Sequence, residues 1–216
     1  MPIARLASVP GSTFFSLGPP PATYMAADIA VPVGVQSPRW PVLVDQSVIG
    51  AGDLGDAQYL WYRSDVDPAL VATGETVFFA RETNFAFGAL VAPLISTISL
   101  RMATDNAFQA RINLIPTLGE PSVFTFNDGN TAQNFNDANP PFNWQKVYSF
   151  TFELPLVVGV TGFDLQFEVR AVNYAQPGGT PLTNPAGVIY SIEVGSLLVA
   201  PTITEAVPPA ITNPLL

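Results

Sequence analysis

An all-β fold, an antiparallel two-sheet sandwich of jelly-roll type with an extended Pro-rich N-terminal arm and an apolar C-terminal tail, is the class this sequence predicts. Three observations carry it. Apolar residues recur with period two in several separate stretches, the connections between them are rich in Pro, Gly and Asn, and no ten-residue window has a helical apolar period.

The chain divides into an arm over 1–45, a sandwich core over 46–200 and a tail over 201–216. Residues 1–45 hold eight prolines and only four charges (Arg5, Asp28, Arg39, Asp45). Proline fixes φ and removes a donor, so this segment is neither helix nor central strand. Its apolar residues Phe14, Phe15, Leu17, Ile29, Val31 and Val33 need a surface to lie against. The tail has one charge, Glu205, and carries Ile211 and Leu215, so it too lacks the charged, apolar-poor character of a disordered end.

Within the core, strands are expected at 58–63 and 75–80, where aromatic residues concentrate. Next, Ile98, Leu100 and Met102 alternate with Ser99 and Arg101, and Phe108, Ala110, Ile112 and Leu114 alternate with Gln109, Arg111 and Asn113. Asp105-Asn106 between the halves has turn chemistry, so this stretch reads as a β-hairpin with one dry and one wet face. Further strands are expected at 123–126, 146–154, 162–172 and 187–199. The connections 127–144 and 171–187 are long enough to be functional or to form lobes of their own.

Composition narrows the chemistry. The chain has no cysteine and no histidine, which excludes thiolate nucleophiles, Cys-ligated metals and the usual general base. Its net charge of −9 and scattered cations argue against nucleic acid and against anionic membrane surfaces. No apolar run is long enough to insert into a membrane, and MPIARLASVPGSTFF has no signal-peptide pattern. Charged residues make up 12% of the chain, with a mean hydropathy of +0.32. A typical soluble domain has roughly 25% charged residues, so much of this surface is expected to be covered by copies of the same protein.

Four candidate sites follow. Asp128, Asn130 and Asp137 in the Asn/Asp-rich loop offer oxygens to calcium, although the spacing is not that of an EF-hand and turn chemistry explains the same residues. No other cofactor is indicated. The second acidic cluster, Asp45, Asp53 and Asp56 among glycines, fits a flexible connection and no phosphate loop. Trp40, Tyr59, Trp61, Tyr62, Phe142 and Trp144 offer a sugar-stacking platform, against the plainer reading that they fill the core. Glu153, Asp164, Glu168 and Glu193 lie on expected wet faces; they are a glycosidase pair only if two of them meet across a cleft, and otherwise cross-strand partners of Arg101, Arg111 or Arg170.

The expectation is therefore a non-enzymatic structural protein that assembles with copies of itself, with Phe14, Phe15, Leu17, Ile29, Val31, Val33, Ile211 and Leu215 as assembly residues. Donor-strand or arm exchange would build a filament, surface appendage or capsid-like shell, and a virion, spore or extracellular surface is the favoured location. That outline rests on fold-level analogy alone. The alternative is a carbohydrate- or receptor-binding β-sandwich module, and a carboxylate glycosidase is more remote.

Overall fold

The structure is a computed structural model. It describes residues 2–21, 23–33, 51–52, 55–63, 75–86, 95–105, 107–117, 120–127, 147–153, 162–174, 186–196 and 202–205. The strands are β1 (Pro2–Ala7), β2 (Phe14–Ser16), β3 (Val31–Pro32), β4 (Ala51–Gly52), β5 (Gly55–Asp56), β6 (Leu60–Trp61), β7 (Glu75–Ala86), β8 (Ile95–Asp105), β9 (Ala107–Pro116), β10 (Ser122–Asn127), β11 (Tyr148–Glu153), β12 (Gly162–Asn173), β13 (Gly187–Ser196) and β14 (Thr202–Glu205). A 3₁₀ turn covers Ala26–Asp28.

Two antiparallel sheets pack face to face. The first runs β11-β8-β13, with β1 and then β6-β3 sharing the far edge of β13. The second runs β10-β9-β12-β7, with β2 and β14 sharing the far edge of β7. Strands β1 and β7–β13, four per sheet, are wired as a double-sheet jelly roll.

The alternating patterns explain why these segments form strands. Ile98, Leu100 and Met102 of β8, Val188, Tyr190, Ile192 and Val194 of β13, and Phe163, Leu165, Phe167 and Val169 of β12 all enter one core. Aromatic contacts tie the sheets together. Phe167 meets Tyr190 at 4.6 Å between centroids, and Phe124 of β10 meets Phe152 of β11 at 4.7 Å, closing the sandwich at its short edge strands.

The hairpin expected over Ile98 to Thr117 is corrected. β8 pairs with β11 and β13 in one sheet, whereas β9 pairs with β10 and β12 in the other, so these two strands, consecutive in sequence, belong to different sheets. Both halves do turn their apolar residues to the core. Turn chemistry at Asp105-Asn106 marks a bend, but the local pattern is the same whether the bend stays within a sheet or crosses between two.

The N-terminal segment lies on the chain's own body over residues 2–33. It crosses from sheet to sheet between β1 and β2 through a turn in which Gly11 takes φ 87°. Hydrogen bonds stitch it down: Ser8 N donates to Tyr190 O (2.9 Å), Tyr190 N donates to Ser8 Oγ (3.1 Å), and Thr13 Oγ1 shares a 2.6 Å bond with Tyr190 Oη inside the core. The Arg81 guanidinium of β7 donates to the carbonyl of Ala7. At the other end, β14 pairs with β7 through Thr202 to Glu205.

Candidate functional site at the end of the sandwich

The most chemically distinctive place among the described residues is one end of the sandwich, where β6 arrives, β7 begins and β12 ends. Alternation puts Glu75 on the inner face of β7, in line with buried Val77 and Phe79. A carboxylate there needs partners, and two neighbours supply them. Trp61 Nε1 donates to Glu75 Oε1 at 2.9 Å, and the Tyr62 hydroxyl bonds the same carboxylate.

Tyr62 is half-buried, and its pKa is pushed up to about 12, chiefly by burial and then by the Glu75 bond and charge, against the opposing pull of Arg63. The phenol therefore stays protonated as a donor at neutral pH. Rings form a wall beside the carboxylate: Phe15 lies 5.8 Å and Trp61 6.4 Å from Tyr62, and Trp61 also packs on Phe79 at 5.4 Å. The Arg63 guanidinium sits 5.9 Å from the Tyr62 ring centroid. Directly opposite Glu75 in register is Asn173, the last residue of β12, which is fully buried. The result is a half-exposed patch with an aromatic wall and a fixed acceptor, backed by a buried amide.

Of the platform residues expected from sequence, Tyr59 and Trp61 are core residues, Tyr62 is half-exposed, and Trp40, Phe142 and Trp144 lie outside the described residues. Glu75 and Asn173 escaped the sequence reading. Their one legible signal was parity: each is polar at a position whose period-two neighbours are all core.

A second polar cluster covers the outer face of the β10-β9-β12-β7 sheet, and it corrects the expected wet face. Gln109, Asn113, Gln166 and Glu168 are buried. Phe14, Tyr24 and Ile29 of the N-terminal segment pack on Ala80, which neighbours Glu168 in register. Burial and the charges of Glu168 and Asp28 raise the Tyr24 phenol far above its ordinary range. Rows of partners run across the strands: Arg111 Nη2 to Glu168 Oε2 at 3.2 Å, Asn113 Nδ2 to Gln166 Oε1 at 3.1 Å, and Asn84 donating to Asp164. Glu82 rises to about 7 through burial and then the charge of Asp164, eased by the Gln166 side chain.

The four carboxylates weighed for glycoside hydrolysis are divided between the two sheets. Glu153 and Glu193 belong to one sheet and Asp164 and Glu168 to the other. Glu168 pairs with Arg111, one of the cross-strand partners expected, whereas Glu193 pairs at 3.1 Å with Arg5 of β1, which was not among them. No group of three or more carboxylates able to hold a metal occurs among the described residues, and the calcium candidates Asp128, Asn130 and Asp137 lie outside them, as do Asp45 and Asp53. Of the assembly residues, Phe14 is buried on the chain's own sheet, and Phe15, Ile29, Val31 and Val33 are half-buried. Leu17 is 61% exposed, and Ile211 and Leu215 lie outside the described residues.

No family model matches the chain, and no curated protein matches it. Among solved structures it is similar to TmCBM61 in complex with β-1,4-galactotriose, with 6% identity and a TM-score of 0.32, over 94% of this chain and 88% of that one.

Proposed function

We propose that this chain is a non-catalytic jelly-roll recognition module whose half-exposed patch at Tyr62 and Glu75 binds a carbohydrate. One observation carries the reading: the Glu75 carboxylate is held by two donors from consecutive residues, Trp61 and Tyr62, beside a partly exposed aromatic wall. Sugars present apolar C–H surface along with hydroxyls, and sites for them combine rings with a few fixed polar groups. An ion held by two neutral donors keeps lone pairs for ligand hydroxyls. The net charge of −9 favours neutral sugars over anionic ones.

The test is glycan-array screening of the full chain, followed by calorimetry on the best binder. Tyr62→Ala is expected to weaken binding at least tenfold with the fold intact. An array without binders contradicts the reading.

A second reading, a building block that packs against copies of itself, is favoured by Leu17 and Met25, which are 61% and 68% exposed on the N-terminal segment of a charge-poor chain. The segment already adds strands within its own chain, so exchange in this reading takes the form of a domain swap. Light scattering across a concentration series, compared with Leu17→Asp/Met25→Asp, separates a self-associating chain from a monomer.

A further inference from the structure

The second sheet closes its two ends differently. At β7 the outer edge is taken by the chain's own short strands β2 and β14. At β10, among the described residues, no strand pairs with the outer edge, so the main-chain N–H and C=O groups on that side stand open. Such edges are normally guarded by lysine, proline, a bulge or an inward-pointing charge. β10 has none of these guards. Ser122–Asn127 contains no charge and no proline, and its register with β9 runs unbroken from Ser122 opposite Leu114 to Asn127 opposite Gln109. Val123 is 50% exposed and Thr125 is exposed beside it on the outer face, while Phe124 turns inward and meets Phe152. The strand is therefore held firmly on one side and left bare on the other.

We infer that the outer edge of β10 is an interface between two copies of this chain, which pair antiparallel across a two-fold axis so that β9-β10 of one sheet runs on into β10-β9 of the other. Self-complementarity argues for a second copy as the occupant. With the axis at Phe124, Val123 stands beside Thr125 of the partner subunit and Ser122 beside Phe126 of the partner subunit. No charge then meets a like charge, and the exposed valine gains a cross-strand neighbour. Main-chain hydrogen bonds supply the affinity of such a contact, which suits a chain with only 12% charged residues. The inference is independent of the patch at Tyr62 and Glu75, and it uses neither Leu17 nor Met25.

The test is sedimentation velocity of the full chain over a concentration series, paired with amide hydrogen exchange. A reversible dimer is expected, with amides of residues 122–127 slowing as it fills. Val123→Glu/Thr125→Glu sets like charges against each other across the axis and is expected to weaken dimerisation at least about tenfold, with the melting behaviour of the parent kept. Val123→Lys/Thr125→Glu sets opposite charges there and is expected to recover it. Leu17→Asp/Met25→Asp should leave this dimer unchanged. A monomer at every concentration overturns the inference, and so does a dimer that Val123→Glu/Thr125→Glu leaves intact. Failure of Val123→Lys/Thr125→Glu to recover the dimer overturns the two-fold pairing. Loss of the dimer in Leu17→Asp/Met25→Asp alone moves the contact to the N-terminal segment and overturns it as well.

Discussion

Arg81 and Ala7 join the two sheets: the guanidinium on the inner face of β7 donates to the carbonyl that ends β1 in the opposite sheet, and Arg81 is only 2% exposed. Removing one acceptor of a buried charge is costly, on the order of 3 kcal/mol. Deleting residues 1–8 is therefore expected to lower stability by at least about 3 kcal/mol in urea unfolding. Arg81→Met should recover part of that loss in the deleted chain and give no gain in the full one. Equal effects of Arg81→Met in both backgrounds would show that the two groups are not coupled.

Glu168 is buried beside Arg111, whose guanidinium is pulled below its ordinary pKa chiefly by burial, against the support of Glu168. Arg111→Ala leaves the carboxylate in the protein interior without this cation, and a cost of roughly 3–5 kcal/mol follows. The double variant Arg111→Met/Glu168→Leu should lie within about 2 kcal/mol of the parent, because apolar replacement removes both desolvation costs. Denaturant midpoints of the three proteins check the order.

Glu82 titrates near 7 in the fold, raised by burial and then by Asp164 from its ordinary value of 4.5. The fold therefore holds a proton that the unfolded chain has already released between those values. Stability falls as pH rises across that window, the contribution being complete below 4.5 and lost above about 7. Thermal melts at pH 5, 6, 7 and 8 should show this decline, and Glu82→Gln should flatten it. A slope unchanged in the variant would assign the effect elsewhere.

Gly195 faces Thr97 across the β13–β8 pair, where an added Cβ would run into the threonine hydroxyl. Gly195→Ala is expected to cost about 1–3 kcal/mol. Gly195→Ala/Thr97→Gly should recover much of it in the same unfolding assay, because the obstructing side chain is gone.

Strand positions were legible because burial on one face leaves a period-two trace, as in Phe163 to Val169 or Tyr190 to Val194. Pairing was not. Asp105-Asn106 has the same turn chemistry at a corner between sheets as within a hairpin, and only the long-range partners of β8 and β9 tell the two apart. The outer faces misled for a related reason. Gln109, Asn113, Gln166 and Glu168 alternate as a wet face should, yet they are buried, a tertiary fact that no local pattern carries. Of the patch at Glu75, Trp61 and Tyr62 could be read as aromatics near each other. Glu75 and Asn173 are a hundred residues apart in sequence and become neighbours only through the β7–β12 register.

The most direct test of the central claim, that the Tyr62 and Glu75 patch is a carbohydrate site organised by Glu75, is calorimetric titration of the array's best glycan into the parent and Glu75→Gln proteins. The account predicts saturable one-to-one binding to the parent and at least a tenfold loss in a variant that stays folded, since the charged acceptor becomes a neutral amide. Equal affinity in the two proteins would contradict it.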